Sequence, residues 1–172
     1  MREIVEKSHP TLRKIASEVP AEAIKSPQIQ AVIADMKQAL EAQEDGVAIA
    51  APQIDEQLRI FVVSGRAISM IKNKPERSAD LVFINPRITK LSKKTDWVEE
   101  GCLSIRYLYG KVKRAAKTTI MAYDENGKLF KIGASGLLAQ IFQHETDHLD
   151  GILFTDKAVE VEDLPPEKNE TK

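Results

Sequence analysis

The chain has 172 residues, with 25 lysines and arginines against 26 aspartates and glutamates. That length suits one domain with a sizeable core, and the near-zero net charge excludes a general attraction to nucleic acid or anionic lipid. A single cysteine, Cys102, excludes an internal disulfide and is left as a packing residue, a nucleophile or a metal ligand.

The opening "MREIVEKSHPTLRKIASEVP" carries acidic residues throughout and no uninterrupted apolar run, so it fits neither a secretory signal nor a transit peptide. With no stretch long and apolar enough to span a bilayer, the expectation is a soluble cytoplasmic protein with no membrane partner. "SPQIQAVIADMKQALEAQEDG" then places Ile29, Val32, Ile33, Met36 and Leu40 at helical spacing between a Ser-Pro start and a stop at Gly46. From Leu58 to about Ala134 the texture becomes short β-rich runs, "LRIFVVS", "LVFINPRITKLS", "KVKRA", "TTIMAYD" and "KLFKIGA". Most lack a helix-length crossover between them, which predicts antiparallel pairing. Between the first two runs, "SGRAISMIKNKPERSADL" is expected to be a long mobile loop.

"SGLLAQIFQHETDHLDG" returns to helical spacing, with Ser135 as cap and Gly151 as stop. Leu137, Leu138, Ile141, Phe142 and Leu149 cover much of its circumference, so this helix belongs inside the fold. The predicted class is α+β: antiparallel sheets packed around a buried central helix, with an amphipathic helix nearer the N-terminus. Residues 1–156 form one catalytic domain in this reading. Residues 157–172, acidic and proline-interrupted, form a tail too poor in apolar side chains to order itself.

The chemistry concentrates at the second helix. His144 and His148 are four apart, which puts both imidazoles on one face, aimed at one ion. Glu145, one step around, suits proton transfer to and from a water at that ion better than ligation. A hydrolytic site of this type takes three protein ligands and keeps one position open. Glu160 and Glu162 are available downstream but on a poor anchor, whereas Cys102 in "EEGCLSI" offers a thiolate inside β-rich sequence.

Three stretches, "GVAIAAPQ" at 46–53, "EGCLS" at 100–104 and "QHETDHLDG" at 143–151, resemble in order and separation the signature motifs of peptide deformylases. The likeness extends to "HPTLRKIASEV" and "YDENGK" and reaches about Asp156. It implies a monomeric or loosely associated metalloenzyme that removes the formyl group from the N-terminal methionine of newly made bacterial proteins. The implied cofactor is one divalent ion, iron(II) in the cell, with zinc, nickel or cobalt able to replace it in purified protein. On this resemblance Cys102, His144 and His148 are the ligands, Glu145 is the acid/base, and Gln53 with the N–H of Leu103 steadies the substrate oxygen. Gly46, Val47 and Ala48 would pair with an extended peptide. Leu137 and Ile141, seven and three residues before His144, would line a pocket for the methionine side chain, although core packing explains them equally well.

The chain departs from the family pattern at Ala48, where a glycine is usual, and after "CLS", where "IRYLYG" replaces a proline-containing turn. The first departure keeps alive a binding module that retains metal but not turnover; the second reshapes the rim of the cleft. A zinc metallopeptidase with a downstream ligand is the nearest enzymatic rival. The family's ribosome-docking helix is basic and amphipathic, and the acidic C-terminus here predicts weak ribosome contact through that end.

Overall fold

Ser26 opens the first helix, its Oγ accepting the N–H of Ile29 at 3.3 Å while Pro27 takes the first helical position, where no N–H is needed. The computed structural model describes residues 2–167. Helix α1 runs over Pro27–Glu41, strand β1 over Ala48–Ala50, β2 over Ile60–Val63 and helix α2 over Gly65–Ile71. Strands β3 (Leu81–Leu91), β4 (Thr95–Glu100), β5 (Leu108–Ala115), β6 (Lys117–Tyr123) and β7 (Leu129–Ser135) precede helix α3 (Gly136–Leu149) and strand β8 (Val159–Asp163).

Five strands form one sheet in the order β1-β2-β3-β6-β7, and β4-β5-β8 form a second; every paired strand is antiparallel to its neighbour. The run "IFVV" in β2 is apolar on both sides because both faces of the larger sheet are covered there. Ile60 and Val62 join Ile33, Met36 and Leu40 of α1, while Phe61 and Val63 face α3. On the α3 side Phe61 stacks on Phe83 at 4.5 Å between ring centroids, and Phe142 of the helix closes on Phe83 at 5.2 Å. A third cluster, Leu12, Ile105, Val112, Leu153 and Phe154, packs the smaller sheet against the N-terminal turn Pro10–Arg13 and the segment that follows α3.

The predicted α+β arrangement around a buried helix is observed, and three expectations change. Segment 64–81 is not an open loop: α2 buries Ala67 and Ile68, and Ser69 Oγ donates to the carbonyl of Glu76 at 2.7 Å and accepts the N–H of Ser78 at 2.6 Å. Its polar groups are spent internally, which composition does not disclose. The tail boundary at 157 also moves. Val159–Asp163 pairs with β5, and Lys111 reaches Glu160 at 2.8 Å, so a ladder to an existing strand orders a segment that could not order itself. Residues 168–172 of the expected tail lie outside the described residues. Finally, α1 ends at Glu41, and Gly46 belongs to the turn into β1, where a Cβ would come within 2.9 Å of Leu40 Cδ1.

Candidate metal centre and substrate cleft

Helix α3 carries His144, Glu145 and His148, and the segment after β4 carries Cys102. One ligand atom from each of Cys102, His144 and His148 lies within 4.8 Å of the other two, and Cys102 Sγ is 3.3 Å from His148 Nε2. The imidazole rings stand 5.0 Å apart at 71°. His144 Nδ1–H donates to Glu100 Oε1 at 2.8 Å, which fixes the tautomer and leaves Nε2 with its lone pair for an ion. Soft sulfur beside two imidazoles suits zinc or ferrous iron, and the spacing suits a single ion.

Glu100 is itself held. Arg114 donates to both its oxygens, at 2.7 and 2.8 Å, and turns a third N–H to Asp147 at 2.6 Å; Lys157 approaches Asp147 from outside at 2.9 Å. Arg114 and Glu100 are each only 4% exposed, so the fork geometry and the chain of alternating charges must offset a large desolvation cost. Burial alone would raise the Glu100 pKa, but the hydrogen bonds from Arg114 and His144 outweigh it and bring it to about 2. Glu145 has no such partner. Burial pushes its pKa up to about 7, and its Oε2 has no hydrogen-bond partner among the described residues.

The two histidines are shifted in opposite directions. Burial opposes charge on His144, but hydrogen bonds to Cys102 and Glu100 prevail and raise its pKa well above the usual value. His148 is pushed well below it by burial and by His144. The donor chemistry and the buried carboxylate beside it both fit a divalent metal.

Gln53 lies on the short turn Ala51–Ile54 that follows β1, buried to 1% exposure. Its Oε1 accepts the N–H of Ala50 at 2.9 Å, so its Nε2 must face the other way, toward Ser104 Oγ at 3.2 Å and Cys102 Sγ at 3.5 Å. A cavity of about 330 Å³ opens over these groups, lined by Val47, Ala48, Gln53, Leu103, Leu137, Ile141, His144 and Glu145. Gly46 is not in its lining, and His148 is buried behind it. Ala48 takes a place in β1 opposite Val63 and is not among the residues with positive φ, so its methyl group meets no glycine-only backbone angle. A larger cavity, about 820 Å³, lies across the Leu103–Arg106 segment and holds none of the candidate ligands.

Sequence reasoning underused Glu100 and Arg114. The burial alternation along "KVKRA" points Val112 and Arg114 inward, and a charge on that phase needs a buried partner. Asp45 pairs with Arg106 at the cleft. Gln143 does not face the ligands. It accepts the N–H of Ala115 at 2.9 Å and approaches the Ala115 carbonyl at 3.0 Å, clamping α3 to the end of β5.

An HExxH helix between antiparallel sheets, with a Cys-His-His donor set under a peptide-sized cleft, is the frame of a mononuclear metallohydrolase. The family model for polypeptide deformylase matches residues 1–163, and the chain belongs to that family. It is 40% identical to the peptide deformylase of Acinetobacter baumannii (strain SDF) over 86% of this chain and 77% of that one. With the peptide deformylase of Dehalococcoides mccartyi (strain CBDB1) it shares 38% identity, over 91% and 85%. It spans 59% of the chloroplastic peptide deformylase 1A of Solanum lycopersicum, at 38% identity over 91% of this chain. Among solved structures, the actinonin-bound class I type b enzyme of Acinetobacter baumannii superposes with TM-score 0.80 at 30% identity, covering 92% of this chain and 98% of that one. The Legionella pneumophila peptide deformylase gives 0.79 at 37% identity, covering 93% and 87%.

Proposed function

We propose that the chain, as a metal-dependent hydrolase of this family, removes the formyl group from the N-terminal formylmethionine of newly synthesised proteins and releases formate. The observation that carries this reading is the convergence of Cys102 Sγ and the two imidazoles within 4.8 Å, beside the buried carboxylate of Glu145 and under a cleft. In it, Cys102, His144 and His148 hold one divalent ion. When bound, that ion supplies the Lewis acidity that makes water nucleophilic near neutral pH.

Glu145 accepts the proton of the attacking water and returns it to the leaving amine, a double role suited to a buried carboxyl beside the ligand set whose Oε2 has no other hydrogen-bond partner among the described residues. Negative charge grows on the formyl oxygen as the carbonyl is attacked. The Gln53 amide, its orientation fixed by Ala50, and the N–H of Leu103 stabilise that charge; one such donor is worth about 3 kcal/mol. Leu137 and Ile141 give the methionine side chain an apolar wall, and the strand edge at Val47 and Ala48, entered through Gly46, takes the peptide backbone. Iron(II) is the ion proposed for the cell, with zinc, nickel or cobalt in its place after purification. The protein works as a cytoplasmic monomer with weak ribosome contact.

A metallopeptidase reading needs a downstream ligand. Glu160, the nearest candidate, is on β8 and engaged with Lys111. Anaerobically purified, iron- or nickel-loaded protein is expected to release formate from formyl-Met-Ala-Ser, and Cys102→Ala to lose its metal. Retention of metal by that variant would favour the peptidase, and absence of formate release by the loaded parent would overturn the deformylase.

A further inference from the structure

The cleft has a charged clasp that the proposed reaction does not use. Asp45 precedes β1, Arg106 follows the Cys102 segment, and both line the same cavity. Arg106 Nη1 donates to Asp45 Oδ2 at 2.5 Å and Nη2 to Oδ1 at 3.2 Å, with a further bond from Nη2 to Gln43 Oε1 at 2.9 Å. The Asp45 side of the clasp is anchored from behind, since Arg66 of α2 donates to the Gln43 carbonyl at 2.8 Å. Its Arg106 side is anchored by the rim: Leu164 donates to the Tyr107 carbonyl at 3.0 Å, and the Tyr109 ring lies where a Cβ on Gly101 would approach it to 2.7 Å. Two separate walls of one cleft are thereby tied by a two-bond ion pair whose members are still partly open to water, Arg106 at 30% and Asp45 at 59% exposure.

We infer that Asp45 and Arg106 are specificity-determining residues, a clasp in which each neutralises the other so that the cleft accepts peptides regardless of the charge downstream of methionine. The inference rests on the deformylase reading. The physical reason is proximity: at the clasp a cation and an anion face the cleft within hydrogen-bond distance of each other, so their fields largely cancel, while Glu99, an exposed carboxylate in the same lining, stands opposite Lys111 in the β4–β5 ladder and is offset by it. Removing either member leaves the other uncompensated, with two donors or two acceptors freed toward the cleft. A free Arg106 would attract acidic side chains and a free Asp45 basic ones.

The test is steady-state formate release by the nickel-loaded full chain from the C-terminal amides of formyl-Met-Ala-Ala, formyl-Met-Glu-Glu and formyl-Met-Lys-Lys. The parent is expected to use the Glu and Lys peptides with kcat/KM values within about threefold of each other, a difference too small for one uncompensated charge. Asp45→Asn should shift the ratio toward the Glu peptide by about fivefold or more, and Arg106→Gln should shift it toward the Lys peptide by as much, both shifts shrinking in 0.5 M salt, about a 4–5 Å screening length. The double variant should return to the parent ratio, which no general loosening of the rim would produce. Ratios unmoved in either single variant, or moved in the same direction in both, would overturn the clasp. No formate release by the parent from formyl-Met-Ala-Ala would instead overturn the deformylase reading, and this inference with it.

Discussion

Glu145 and Glu100 stand on either side of His144, are both buried, and have been driven in opposite directions. Glu145 has no hydrogen-bonded cation, and burial outweighs the attraction of His144 and raises its pKa from 4.5 to about 7; Glu100 is hydrogen-bonded to Arg114 and His144, which take it to about 2. The consequences for stability have opposite sign. A carboxyl with a raised folded pKa costs nothing below the unfolded value, and its cost grows from pH 4.5 until it is complete above 7, about 3 kcal/mol at most. Metal-free Glu145→Gln is therefore expected to unfold at higher denaturant than the parent at pH 8 and at the same concentration near pH 4.5. It should lose about a hundredfold to ten-thousandfold in kcat with metal content unchanged. Glu100 contributes stability that is present above pH 4.5 and lost as pH falls through about 2. Glu100→Gln should be destabilised at pH 7, where Arg114 is left without its buried anion, and the gap to the parent should narrow in thermal melts taken between pH 4.5 and 2.

The element that matters most is α3, and its two ends show what could be read from sequence. The imidazole pair, Glu145 and the apolar faces follow from spacing, and Gly151, at φ +73°, ends the helix as expected. Ser135 does not cap it through its side chain, and the helix is fixed instead by Gln143, whose amide bonds Ala115, Thr118 and the helix's own Ala139. No local pattern could have announced that clamp, because its partners across the fold come from the end of β5 and the start of β6. Strand β4 was illegible for a related reason. "TDWVEE" is polar and mostly exposed, and is a strand only because β5 offers it a ladder. Gln143→Ala would leave the partly buried N–H of Ala115 without its acceptor, and a loss of about 1–2 kcal/mol in denaturant unfolding is expected, with one metal per chain retained after loading. Loss of metal as well would mean that Gln143 shapes the ligand set itself.

At the scale of the whole molecule, the smaller sheet ties the C-terminal segment to the catalytic cleft. Strand β8 pairs Asp163 with Leu108 and Glu162 with Tyr109, and packs so closely on Gly110 that a Cβ there would stand 2.9 Å from Ala158 Cβ and 3.1 Å from Val161 Cγ2. Leu108 and Tyr109 also line the cleft, so the strand braces one of its walls from outside while α3 builds its floor. Composition alone argues for a dispensable tail here, since Glu160, Glu162 and Asp163 are all exposed. The two views separate on truncation. Ending the chain at Ala158 removes the ladder to β5 and the Lys111–Glu160 pair and exposes the edge of β5 to other chains. If β8 braces the rim, KM for formyl-Met-Ala-Ser should rise by several-fold while kcat and metal content change little, because Cys102, His144, Glu145 and His148 are held by other contacts. The melting temperature should also fall by several degrees, as expected for about 1–2 kcal/mol in a chain of this size. An unchanged KM would mean that Tyr107, Leu108 and Tyr109 hold their places through Gly101 and the Asp45–Arg106 clasp alone.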